Sequence, residues 1–211
     1  MGILRPYSFL SKVFIERQAN HLLHQMEATP FAPSWPFETA LVADFLDLGV
    51  VWDRIPPDEI GEVAARILPT QRMIEINETL LDISQGYIES TTAHEIGHWM
   101  LHINQDALDS DIEVDDEPFV CRSTSNDVKV VESVEWQAQQ FASCLLMPRW
   151  ILDQKFNHRS FTNWSHLYEV KDELGVTISY LLHRLKDLNW ITVDQKTRKI
   201  YRGNLRAHHS G

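Results

Sequence analysis

Three histidines at a spacing of four, in "TTAHEIGHWMLH" (residues 91–102), constrain this chain more than any other stretch. Residues four apart on a helix lie on one face, about a turn from each other. A helix here presents either His94 and His98 or His98 and His102 as a pair of imidazoles aimed at one point. A metal site explains such a pair, and a helix with an incidental histidine stripe is the plain alternative. The neighbour of each first histidine separates the two pairs. Glu95 follows His94, whereas Trp99 follows His98. A carboxylate beside the first imidazole is directed at the space next to an ion, where a base takes a proton from water. All three histidines cannot share one ion on a straight helix, because His94 and His102 are separated by ~12 Å along the axis. The sequence thus selects His94 and His98 as metal ligands and Glu95 as general base. His102 is left on the helix face or behind a ligand.

Zinc suits imidazole nitrogens and leaves a position for water when the protein supplies only three ligands. A third ligand is offered by "ESVEWQAQQFASCLLMP" (132–148), which carries Glu132 and Glu135 on an otherwise apolar helix. A carboxylate on a core-facing helix is expensive to bury unless something pairs with it. Glu135 shares its face with Ala138, Gln139 and Ala142, and the small alanines would let this helix pack closely on the histidine helix. Glu135 is therefore the favoured ligand, and Glu132 suits the exposed edge.

The surrounding pattern is mixed helix and strand. Ile15, Ala19, Leu22, Leu23 and Met26 fall on one face of a first helix. A proline-rich "TPFAPSWP" precedes a second helix, with Pro36 near its start and Leu41, Val42 and Phe45 on its buried face. Gly49 closes it, "VVWDRI" reads as a strand, and "EVAARIL" and "MIEIN" read as a hairpin. The histidine helix follows, then an acidic, irregular surface loop over 106–130. After Pro148, Trp164, Leu167, Tyr168 and Leu174 form one helical stripe closed by Gly175. Ile178, Leu181, Leu182, Leu185 and Leu188 form another, with Thr177 or Ser179 as its cap. "ITVDQKTRKIY" reads as a small hairpin. The fold expected is α+β: a mainly helical, zincin-like domain with a small three-stranded sheet over 1–148, and a winged-helix-like segment over 149–211.

Net charge is −11, divided as −16 over residues 1–147 and +5 over 148–211. That split permits two segments with different partners. No apolar run approaches the ~20 residues that span a bilayer. Arg5, Pro6 and Lys12 interrupt the start, which lacks the apolar core of a secretion signal. With only Cys121 and Cys144 present, a cytoplasmic protein without structural disulfides is expected.

The two metal-site segments resemble the ImmA/IrrE family of zinc metallopeptidases. Its Thr-x-Ala-His-Glu-x-Gly-His segment is matched by Thr91, Ala93, His94, Glu95, Gly97 and His98. Its downstream Glu-x-x-Ala-Asn-x-Phe-Ala segment, ending in Leu-Leu-Met-Pro, is matched by Glu135, Ala138, Phe141, Ala142 and "LLMP" at 145–148, with Gln139 in place of the Asn. "MIEIN" and "RLKDLNWI" are similar to family features as well. The resemblance, over roughly residues 12–191, implies zinc held by His94, His98 and Glu135, with Glu95 as general base. It also implies an endopeptidase that cuts a helix-turn-helix repressor or a neighbouring antitoxin, relieving repression of phage, mobile-element or stress-response genes. The acidic insert looks longer than usual for the family. Tyr87, Tyr168, His158 and His166 are unranked candidates for a second oxyanion donor.

A regulator of another class is the competing expectation. Arg184, Lys186, Lys196, Arg198, Lys199, Arg202 and Arg206 of the terminal segment supply cations of the kind phosphate contacts need. Against direct DNA binding, the presumed recognition helix "SYLLHRLKDL" is largely committed to core. The acidic insert could attract a basic partner, cover the cleft, or bring Cys121 to the metal as a thiolate.

Overall fold

A computed structural model describes residues 3–6, 8–58, 61–108, 119–122 and 134–203. The first helix, α1 (Lys12–Glu27), buries the five residues its periodicity selects: Ile15, Ala19, Leu22, Leu23 and Met26. Ser11 caps it by accepting from the Phe14 N–H at 3.2 Å. Helix α2 (Thr39–Phe45) buries Val42 and Ala43, while Leu41 and Phe45 are half-buried. Its own N-cap residue, Glu38, makes no side-chain cap. The Glu89 carboxylate instead accepts from the Thr39 N–H at 2.8 Å and the Thr39 hydroxyl at 2.6 Å. A buried carboxylate at a helix N-terminus is favourable because the amide groups there carry partial positive charge. The turn after α2 is made by Asp47 at φ +56° rather than by Gly49. Gly49 opens the first strand.

That strand, β1 (Gly49–Asp53), lies parallel to β3 (Met73–Asn77), which pairs antiparallel with β2 (Val63–Leu68). The expected hairpin is therefore present, with Arg66 directly opposite Glu75 and their side chains 2.5 Å apart. A fourth strand, β4 (Phe119–Arg122), pairs antiparallel with β2 and gives the order β1-β3-β2-β4. It comes from the acidic stretch expected to be irregular, where a short helix, α4 (Gln105–Leu108), also forms. Four residues without clear alternation carry too weak a signal to read as a strand; the open edge of β2 supplies the partner. The rest of the insert, and Glu132 just after it, lie outside the described residues.

The long helix α3 (Gln85–His102) follows a 3-10 turn after β3, and α5 (Val134–Leu146) lies against it. Helices α6 (Arg149–Lys155), α7 (Trp164–Leu174) and α8 (Ile178–Asp187) lead to the hairpin β5 (Ile191–Val193) and β6 (Ile200–Arg202). Gly175 closes α7 at φ +72°, the left-handed region that a glycine enters without a Cβ clash, and Thr177 caps α8. One hydrophobic cluster runs from α1 through α3 and α5 to Leu181, Leu185 and Trp190. Among the described residues, no helix is long and apolar enough to cross a membrane.

Arg184 departs from its expected role. Its side chain is 1 % exposed, 2.6 Å from Glu16 of α1, and its Nε–H donates to the Met147 carbonyl at 3.1 Å. It ties α8 to α1 and to the end of α5 and is not available to phosphate. Lys186, Lys196, Arg198 and Lys199 are exposed; Arg202 lies over the Phe161 ring at 5.4 Å. Arg206 lies outside the described residues. Removing a buried cation leaves its partners uncompensated, so Arg184→Ala is expected to cost about 3 kcal/mol. A urea midpoint equal to wild type would contradict this.

Candidate metal centre

Helix α3 carries all three histidines, and nearly its whole second half is buried. His94 is 5 % exposed, Glu95 and His98 are fully buried, and His102 is 7 % exposed. Helix α5 brings Glu135 to them from its first turn. The His94 Nε2 lies 3.0 Å from the His98 Nε2 and 3.0 Å from Glu135 Oε2. His98 Nε2 is 3.5 Å from Glu135 Oε1. One ligand atom from each of His94, His98 and Glu135 thus falls within 4.8 Å of the others, forming a group able to hold a metal ion. His102 is outside that group and turns its Nδ1 to His98 Nδ1 at 3.1 Å.

The donor chemistry and spacing suit an ion. Four ligands at 2.0–2.1 Å in a tetrahedron sit ~3.3 Å from one another, close to the separations above. The ring nitrogens and the carboxylate oxygens are the ligand types that zinc accepts. His94, His98 and Glu135 would hold it.

Close approach of the two helices makes this convergence possible. A Cβ built at Gly97 would lie 2.8 Å from the Ala138 carbonyl oxygen and 3.0 Å from its Cα. Both are backbone atoms, so neither can swing away. Gly97→Ala is expected to push α3 from α5, costing about 1–3 kcal/mol and weakening metal binding together with stability. A variant with an unchanged melting curve and unchanged metal affinity would contradict this. Gln139, the departure from the family's Asn, donates from Nε2 to the Tyr180 hydroxyl at 2.9 Å and so joins α5 to α8.

Burial keeps the imidazoles of His98 and His102 neutral. His98 is pushed down to about 4, chiefly by loss of solvation, against the pull of the Glu135 carboxylate. His102 is lowered for the same reason. Burial opposes ionisation of Glu135, but the imidazoles of His94 and His98 outweigh it and hold the carboxyl well below the usual range. The stability consequence has one sign. The unfolded chain takes protons at histidine below pH ~6.5 and at glutamate below ~4.3, before the folded chain does. Stability of the metal-free protein is therefore full above pH ~6.5 and falls as pH drops toward 4. Urea midpoints measured down that range check it, and a midpoint that rises on acidification would contradict it.

Of the oxyanion candidates, Tyr168 is 49 % exposed, His158 is exposed and Tyr87 is half-buried. The His166 Nδ1 accepts from the Ser160 N–H at 2.9 Å. Neither His158 nor His166 is in the metal group. Gln137, which the sequence reading passed over, is 1 % exposed and bonded to His102 at 3.0 Å. Its signal was available only as a polar residue next to apolar ones on a core helix.

Residues 47–186 match the family model Peptidase_M78, described as the IrrE N-terminal-like domain. No curated protein matches the chain. Among solved structures, a Mycobacterium tuberculosis transcriptional regulator is similar, with 16 % sequence identity and a TM-score of 0.48 over 94 % of this chain. The alignment covers 56 % of that regulator, so this chain spans little more than half its length. The family match takes in about two thirds of the chain, with both the histidine helix and the Glu135 helix inside it. The chain belongs to the ImmA/IrrE family.

Proposed function

We propose that this protein is a zinc-dependent endopeptidase acting on a specific protein substrate. The observation that carries the reading is the meeting of His94, His98 and Glu135 beside a fully buried Glu95. A carboxylate is expensive to bury, and a helix position next to a metal-ligating histidine is where a proton acceptor is useful. Zinc, when bound, supplies Lewis acidity, acidifying water and polarising the scissile carbonyl.

The remaining chemistry belongs to the chain. Glu95 takes the proton from the attacking water at its carboxylate and later delivers it to the leaving amine. Glu135 supplies the single negative charge of the ligand set, with its side chain 33 % exposed, and so marks the side open to substrate. His94 and His98, rigidly held on one helix, cost little reorganisation when they bind.

The substrate class follows from the resemblance of the two segments to ImmA/IrrE peptidases. We assign a helix-turn-helix repressor or a cognate antitoxin, whose cleavage relieves transcriptional repression. The terminal segment, residues 149–211, is read as a docking module rather than a DNA reader, since Arg184 is committed to Glu16. The test is incubation of the purified protein with the product of the neighbouring gene, with and without a chelator. Chelator-sensitive cleavage into discrete fragments is expected. A metal-loaded protein that leaves that substrate intact, but shifts bare duplex DNA in a salt-dependent way, would overturn the reading in favour of a DNA-binding regulator.

A further inference from the structure

The geometry points to a positioning relay, His98–His102–Gln137–Ser8, in which His102 and Gln137 fix the tautomer of His98 so that its Nε2 lone pair faces the metal position. The inference rests on the metal-centre reading above and adds the residues that prepare one of its ligands.

The direction of every hydrogen bond in the relay follows from its far end. The Ser8 carbonyl can only accept, so Gln137 donates to it from Nε2, at 3.0 Å. That orientation turns the Gln137 Oε1, an acceptor, to His102 Nε2 at 3.0 Å. His102 must therefore carry its proton on Nε2. A neutral imidazole has one N–H and one lone pair, which leaves His102 Nδ1 as an acceptor. It lies 3.1 Å from His98 Nδ1, so His98 donates from Nδ1. The lone pair of His98 is then on Nε2, the atom 3.0 Å from His94 Nε2 and 3.5 Å from Glu135 Oε1. The opposite tautomer at His102 would set two acceptors, its Nε2 and the Gln137 Oε1, against each other at 3.0 Å and would turn the His98 proton to Nε2.

The two ligand histidines are treated differently. The His94 Nδ1 is buried and, among the described residues, has no hydrogen-bond partner, whereas the relay holds the His98 ring from behind. Metal-bound histidines are commonly oriented by a partner on the other ring nitrogen. Here that partner is another neutral imidazole backed by an amide, so no charge is added. The relay also runs outside the family match at 47–186. Its end is held against the last turn of α3 by the Arg5 N–H donating to the His102 carbonyl at 2.8 Å and the Asn104 N–H donating to the Ile3 carbonyl at 2.7 Å. The N-terminal segment thereby becomes part of the support of the centre.

Long-range proton–nitrogen NMR spectra of the zinc-loaded full chain read the tautomers directly. His98 is expected to be protonated at Nδ1 and His102 at Nε2; a His102 protonated at Nδ1 overturns the relay. Zinc affinity by chelator competition gives a second reading. His102→Phe is expected to weaken binding about 10–100-fold, and His102→Asn, whose Oδ1 replaces the Nδ1 acceptor, to regain most of it. Gln137→Leu, which leaves the His102 Nε2–H without its acceptor, should weaken binding as well. A folded Phe variant that binds as wild type, or a folded Asn variant as weak as the Phe variant, overturns the proposal. Should the Phe variant fail to fold, the wild-type tautomers decide. A wild type that shows these tautomers and affinities but cleaves nothing leaves the relay standing and removes the peptidase reading. A wild type that binds no metal removes both.

Discussion

Glu95→Gln is expected to keep its full complement of metal while cleavage of the cognate substrate falls about 10²–10⁴-fold, the range that a positioned proton-transfer group contributes. The substitution changes little in size and removes only the ability to take a proton. Glu95 is fully buried one residue after His94, and it is not among the three residues whose ligand atoms converge. Metal content by elemental analysis and cleavage on a gel, from the same preparation, separate the two roles. A variant that loses metal makes Glu95 a ligand. One that keeps both metal and full activity leaves the protein without the proton acceptor assigned to it.

The second large effect concerns the ligand from α5. Glu135→Ala is expected to weaken zinc by more than the 10–100-fold that loss of an outer partner costs, because it removes the single anion of the set. Cleavage should vanish with the metal. Glu132→Ala, three residues earlier, is expected to leave zinc affinity unchanged, since Glu135 already meets His94 Nε2 at 3.0 Å. Chelator competition on the two variants distinguishes them. Equal losses, or a larger loss at Glu132, would move the third ligand and dismantle the centre as described.

These two experiments address a site that was largely legible in the order of residues. The four-residue spacing of His94 and His98, with Glu95 between them, needs only a helix to become a geometry, and α3 is that helix. Ala138 and Ala142, on the same face, favour Glu135 as the third ligand. The close approach of Gly97 to Ala138, with a hypothetical Cβ 2.8 Å from its carbonyl, shows why small residues matter there. The buried stripe of α1 and the β2–β3 hairpin were read from the same kind of local period.

Other features had no local signature. The strand β4 exists because β2 offers an unpaired edge, and four residues of mixed character do not announce it. Arg184 looked like a surface cation on a basic helix. Glu16, 168 positions earlier, takes it into the interior. His102 could be placed no more closely than on the helix face or behind a ligand, until Gln137 and the Ser8 carbonyl gave its ring a direction.

The sequence by itself determined which residues can meet along one helix or one strand, because a 3.6- or 2-residue period is a property of the chain alone. Only the tertiary structure decided which helix lies against which, and hence that His94 and His98 face Glu135 and that His98 is backed from residue 8. Those choices depend on burial and on hydrogen bonds closed across more than a hundred residues. Their energies arise only when distant segments exclude water together.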